Sequence, residues 1–206
     1  MSVLSEILKN KIVAIIRGAD PDDILKIANV LQQGGINILE ITLNSPNALN
    51  IIKELNNKMK DRMLIGAGTV LNADAAKSSI EAGAKFIISP NVNIETIEIT
   101  KQHGAVSIPG AYTPTEIVTA YSNGGDIIKI FPASNADYIK ALRGPLSHIP
   151  MMPTGGINIE NIKEFQKTGA VAFGIGTALV DTKHKITGEY LEIVTENARK
   201  FVQAIS

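Results

Sequence analysis

Short runs of apolar, often β-branched residues recur roughly every two dozen positions along this chain, and each is followed by a stretch with the apolar period of a helix. The runs predict strands over residues 12–17, 36–42, 63–67, 85–89, 105–109, 126–131, 150–153 and 171–174. The periodic stretches predict helices that include 22–31, 48–57, 73–82, 94–102 and 159–167. Asp20-Pro21, Ser45-Pro46, Asn72, Asn93, Thr113-Pro114 and Asn158 read as helix starts, because a short polar side chain can accept from an orphan N–H and proline suits the first turn. Gly34-Gly35, Gly83, Gly104 and Gly169 read as helix ends. Residues 1–10 read as an extra helix placed to close the N-terminal end. Eight βα units in one unbroken series predict an α/β fold, a (β/α)8 TIM barrel with a short N-terminal helix, forming a single domain over residues 1–206. An open doubly wound sheet is the alternative.

Barrel active sites lie where strands end. The strand ends here bring Arg17, Glu40, Thr69, Pro90, Lys129, Phe131, Thr154-Gly155-Gly156 and Gly176-Thr177 to one mouth. Lys129 lies in Ile127-Ile128-Lys129-Ile130-Phe131. An ammonium there cannot easily reach water, so desolvation favours a neutral amine able to attack a carbonyl and form a Schiff base. The plainer reading is a lysine whose head reaches solvent or pairs with a carboxylate. Glu40, inside Ile38-Leu39-Glu40-Ile41-Thr42-Leu43, is suited to proton transfer if burial raises its pKa, or else is that ion-pair partner. Arg17 offers a bidentate grip on a carboxylate or phosphate, or is a solvated strand-end arginine. Thr69 has a hydroxyl for the same anion, or caps the helix near Asn72. The glycines at 155, 156 and 176 let backbone N–H groups approach a phosphate, or simply serve tight turns. Phe131 and Pro90 read as walls of the site.

Composition narrows the classes. Twenty basic and 20 acidic residues cancel, and aromatics make up 4% of the chain, which argues against a nucleic-acid or anionic-membrane surface. The absence of cysteine removes disulfides and thiolate chemistry. No apolar run has the length of a membrane span and no signal peptide is legible, so the expected location is cytoplasmic. His103, His148 and His184 are scattered without ligand spacing and are expected at the surface, with no metal.

Six segments in order carry a resemblance. They are Leu39-Glu40-Ile41-Thr42-Leu43, Gly66-Ala67-Gly68-Thr69-Val70, Ile88-Ser89-Pro90, Ile108-Pro109-Gly110, Lys129-Ile130-Phe131-Pro132-Ala133 and Pro153-Thr154-Gly155-Gly156-Ile157. Together they resemble the bacterial 2-keto-3-deoxy-6-phosphogluconate (KDPG/KHG) aldolase family. The resemblance implies a class I aldolase, a carbon–carbon lyase that yields pyruvate and D-glyceraldehyde 3-phosphate, as in the Entner–Doudoroff pathway, and that also splits 4-hydroxy-2-oxoglutarate to pyruvate and glyoxylate. It implies Lys129 as Schiff-base lysine and Glu40 as acid/base. Thr69, Pro90 and Phe131 would line the pyruvate half; Thr154, Gly155, Gly156, Gly176 and Thr177 would hold phosphate. It implies a homotrimer, small-molecule substrates, no cofactor and no metal.

The chain departs from the pattern at Asn44, where many members carry a carboxylate-binding arginine. Arg17 resembles the arginine that takes this role in another branch. Thr177 stands where many members have serine, and Thr154 resembles the gluconate-type enzymes more than the galactonate-type. The rival readings are a 2-dehydro-3-deoxy-6-phosphogalactonate aldolase, a sugar-phosphate epimerase or isomerase without an imine, and a non-catalytic binding barrel.

Overall fold

The structure, a computed structural model, describes residues 1–133 and 135–206. Helix α1 (Val3–Asn10) leads into β1 (Ile12–Ile16), α2 (Pro21–Gln33), β2 (Ile38–Thr42), α3 (Ala48–Met59) and β3 (Leu64–Gly68). Then come α4 (Ala73–Glu81), β4 (Phe86–Ile88), α5 (Ile94–Gln102), β5 (Val106–Ile108), β6 (Gly110–Ala111) and α6 (Pro114–Ser122). The chain finishes with β7 (Ile128–Ile130), α7 (Ala136–Arg143), β8 (Met151–Pro153), α8 (Ile162–Lys167), β9 (Phe173–Ile175) and α9 (Gly188–Ile205). All pairings among the described strands are parallel, as βα alternation requires. They form a curled six-stranded sheet in the order β5-β4-β3-β2-β1-β9 and a three-stranded sheet in the order β6-β7-β8. The run expected at 105–109 gives β5, and a second short strand, β6, follows just beyond it. Pro109 lies between them and has no N–H for a ladder, although its carbonyl accepts from Lys129 N–H at 2.9 Å.

Alternation sorts the strand side chains into two layers. Ile12, Ala14, Leu39, Ile41, Ile65, Ile87, Ile128, Ile130 and Phe173 face the helices and join the larger apolar cluster. Val13, Ile38, Phe86, Ile88, Ile127, Met152 and Ala172 face inward and form a second cluster. Ile7 of α1, fully buried, belongs to this inner cluster, with Val3 and Leu4 packed against it. Burying one such side chain contributes roughly 1.5–3 kcal/mol, which holds the N-terminal helix over the strand starts.

Asp20, Asn72, Asn93 and Thr113 cap their helices as expected. Two expected caps do not. Helix α3 starts from Asn47 in left-handed conformation without a side-chain cap, because Ser45 is engaged elsewhere: its Oγ accepts from Gly18 N–H at 2.8 Å and pairs with Thr42 Oγ1 at 3.0 Å. Asn158 accepts from the N–H groups of Glu160 and Asn161 in a turn that precedes α8, whose N-cap is Asn161. No helix of the described residues is long and apolar enough to cross a membrane.

Candidate active site

The inward stripes change character along each strand. Along β1 and just past it, Val13 is followed two and four residues later by Ile15 and Arg17; in β2, Ile38 is followed by Glu40 and Thr42; along β7 and its flanks, Ile127 gives way to Lys129 and Phe131. An apolar floor therefore carries a polar tier at the C-terminal strand ends. Lys129 is 6% exposed and Glu40 is 1% exposed. Burial pulls the Lys129 amine below its ordinary range; the Glu40 charge opposes this and the Arg17 charge adds to it. Burial pushes the Glu40 carboxyl up, against the pull of Lys129 and Arg17. The two form no ion pair within 4.0 Å among the described residues, and Glu40 Oε2 has no hydrogen-bond partner there. Both groups are instead held toward their neutral forms, an amine ready to attack and a carboxyl ready to give or take a proton.

Glycine makes the room. Register places Glu40 opposite Gly66 and Thr42 opposite Gly68. A Cβ on Gly68 would collide with Glu40 Oε1, and one on Gly66 would collide with the Phe86 ring. The Gly66-Ala67-Gly68 motif is thus a pair of hollows that seat the side chains of neighbouring strands. Thr69 follows at φ 57°, a left-handed conformation that is costly for a β-branched residue and is found mainly where surroundings enforce it. Its hydroxyl makes no hydrogen bond to another described residue, so it does not cap α4. Pro90 lies where Gly110 leaves space for its backbone.

A cavity of about 350 Å³ opens at these strand ends, lined by Ile15, Arg17, Lys129, Phe131, Thr154, Gly155, Gly156, Ile157, Asn158, Gly174, Gly176, Thr177 and Ala178. Eight of the eleven expected site residues line it; Glu40, in the middle of β2, and Thr69 and Pro90, just after β3 and β4, stand outside its lining. Lys129 Nζ lies 4.9 Å from the centre of the Phe131 ring. The Arg17 guanidinium has no carboxylate within 4.0 Å among the described residues. Gly155 and Gly156 are at φ 85° and 80°, so this turn needs glycine, whereas Gly176 is not in that region. The N–H groups of Gly155, Gly156, Thr177 and Ala178 make no backbone hydrogen bond among the described residues, which leaves donors facing the cavity for an anion. Thr154 is 4% exposed and its side chain fills the hollow that Gly174 leaves. His103, His148 and His184 are exposed. Among the described residues no three His, Cys, Asp or Glu converge as a metal-holding group.

Comparison with known proteins agrees with this geometry. The family model for KDPG and KHG aldolases matches residues 3–195. The 2-dehydro-3-deoxy-6-phosphogalactonate aldolase of Escherichia coli K12 is 34% identical over 199 residues, 95% of each chain. The 2-dehydro-3-deoxy-phosphogluconate aldolase of Haemophilus influenzae is 34% identical over 166 residues, 79% of this chain and 78% of its own. Among solved structures, the KDPG aldolase of Legionella pneumophila, with pyruvate captured as a covalent carbinolamine, superposes with a TM-score of 0.80 at 27% identity, covering 100% of this chain and 97% of that one. With a matched segment that takes in every strand and all of the polar tier, the chain belongs to the KDPG and KHG aldolase family.

Proposed function

We propose that this protein is a class I aldolase that cleaves 2-dehydro-3-deoxy-6-phosphogluconate to pyruvate and D-glyceraldehyde 3-phosphate, and 4-hydroxy-2-oxoglutarate to pyruvate and glyoxylate. The observation that carries the reading is a buried Lys129 amine beside an unpaired Glu40 carboxyl, at the wall of a cavity ringed by Arg17 and glycine N–H groups. The pyruvate-trapped carbinolamine of the Legionella relative supports it. Lys129 Nζ attacks the C2 carbonyl, and Glu40 supplies the proton with which the carbinolamine oxygen leaves as water. The protonated imine then draws electrons: Glu40 takes the C4 hydroxyl proton, the C3–C4 bond breaks, and the pair moves to the imine nitrogen as an enamine. Glyceraldehyde 3-phosphate departs. Protonation of the enamine carbon and hydrolysis release pyruvate and restore the amine. Arg17 holds the substrate carboxylate in place of the arginine absent at Asn44. Thr69, Pro90 and Phe131 line the pyruvate half, and Thr154, Gly155, Gly156, Gly176 and Thr177 cradle the phosphate.

A second substrate reading, the C4 epimer 2-dehydro-3-deoxy-6-phosphogalactonate, is favoured by the Escherichia coli relative that matches over 95% of both chains. Cleavage rates for the two epimers separate them. The same proposal includes a single (β/α)8 barrel domain over residues 1–206. Its closure is supported by the parallel bridge between Thr154 and Gly174 and by the bond from Asp126 N–H to Ser107 carbonyl at 2.8 Å, which join the two sheets at either side. It also includes a homotrimer, action without cofactor or metal, a cytoplasmic location and a place in the Entner–Doudoroff pathway. The test is borohydride reduction in the presence of pyruvate, followed by peptide mass spectrometry. The expected result is a reduced pyruvate adduct on Lys129. No adduct on folded protein overturns the imine in favour of a phosphate-site epimerase, and an adduct on another lysine overturns the site.

A further inference from the structure

Arg17 is an exposed side chain followed by a glycine. Gly18 is at φ 69°, and a Cβ added there would meet nothing within 4 Å. Glycine gives the backbone beside the arginine extra freedom, and an arginine so placed would bear an ordering cost each time it gripped an anion. The peptide group joining Arg17 to Gly18 is nevertheless fixed at both ends. Its N–H donates to Ser45 Oγ at 2.8 Å, and its carbonyl accepts from Thr182 Oγ1 at 2.6 Å. The two hydroxyls come from loops on opposite sides, one after β2 and the other after β9.

Each hydroxyl is itself anchored. Ser45 is 8% exposed; its N–H donates to the Thr42 carbonyl at 2.9 Å, and its Oγ pairs with Thr42 Oγ1 at 3.0 Å. Thr182 follows Asp181, whose N–H donates to Tyr190 Oη at 2.7 Å and whose carbonyl accepts from that hydroxyl at 3.0 Å. Tyr190 sits in the first turn of α9, capped by Thr187. The C-terminal helix therefore anchors Asp181, and through the next residue, Thr182, the backbone of Arg17, while β2 anchors the same peptide through Ser45.

We propose that Ser45 and Thr182 are positioning residues that clamp the Arg17–Gly18 peptide and so preset Arg17 for the substrate carboxylate. This rests on the reading that Arg17 grips that carboxylate. Neither hydroxyl lines the cavity, so the clamp acts through Arg17 alone. Its loss is paid at binding rather than at bond cleavage, and one neutral hydrogen bond sets the scale.

The test uses borohydride trapping as a function of pyruvate concentration, with kcat and KM for cleavage measured beside it. Thr182→Val raises the half-saturating pyruvate concentration roughly three- to tenfold and leaves kcat within about twofold. Thr182→Ser restores it. Ser45→Ala has the same signature, so the inference does not hang on one variant folding. In an Arg17→Met background, Thr182→Val adds no further change. Normal half-saturation in both Thr182→Val and Ser45→Ala, or an equal loss with and without Arg17, overturns the inference while leaving the aldolase reading intact. Wild-type protein that traps no pyruvate on Lys129 overturns that reading, and the inference with it.

Discussion

Glu40 Oε1 occupies the place that a Cβ on Gly68 would fill, so the orientation of the carboxyl is set by an atom that is missing from the next strand. Its partner oxygen, Oε2, has no hydrogen bond to hold it, which makes the hollow the main steric constraint on the group. Gly68→Ala must therefore push the carboxyl off its position, and displacement of a proton-transfer group by about 1 Å costs a large factor in rate. The expected outcome is a fall in kcat of at least about tenfold with KM little changed. Gly188→Ala, at a site where a Cβ meets nothing, serves as the control and keeps full activity. Steady-state kinetics of the two variants decide it; unchanged kcat in Gly68→Ala would mean that Glu40 is free to turn.

At the scale of elements, α6 shows how local chemistry fixes a boundary. Thr113 Oγ1 accepts from Glu116 N–H at 3.4 Å, and Glu116 Oε2 accepts from Thr113 N–H at 2.8 Å and from Tyr112 N–H at 2.9 Å. The bond from Thr113 N–H, then that from Tyr112, holds the Glu116 carboxyl below its ordinary value of 4.5. A depressed folded pKa gives stability that is full above 4.5 and is lost as pH falls through the lower, folded value. Thr113→Ala should cost about 1 kcal/mol at neutral pH. The gap in melting temperature between wild type and Glu116→Ala should narrow as pH drops below 4.5, which thermal melts across pH will check. Features of this kind are legible in the sequence because they are local: a capping residue with a proline after it, a strand with period two, a glycine turn. The same logic misread Ser45, since its real partner is Gly18, 27 positions back, and Asn47 starts the helix instead. It had no access to Thr182, which meets Arg17 across 165 positions, nor to the Gly68 hollow, which exists only once β2 and β3 are in register. Arg17, Lys129 and the glycine turns were legible as parts of one mouth; the contacts that orient them were not.

At the scale of the molecule, the fold bears the cost of two buried ionisable groups above an apolar floor. For Glu40, whose folded value is raised, the native state binds more protons than the unfolded chain between 4.5 and that value, so stability falls there as pH rises. For Lys129, whose folded value is lowered, the unfolded chain binds more protons from that value up to 10.5, so stability rises across that window. The double variant Glu40→Gln/Lys129→Met removes both effects. It should be inactive and more stable than wild type near neutral pH, because neither replacement has a charged form whose burial the fold must bear. Denaturant titrations should find the Glu40 part of that gain shrinking as pH falls toward 4.5 and the Lys129 part shrinking as pH rises toward 10.5. The hollows have a consequence of another kind. Where one strand lacks a Cβ so that its neighbour can reach in, as at Gly68 with Glu40, Gly66 with Phe86 and Gly174 with Thr154, the glycine cannot change while its mate stays. A side chain can be gained at any of these glycines only if its mate gives way, and the mates come from different stretches of the gene.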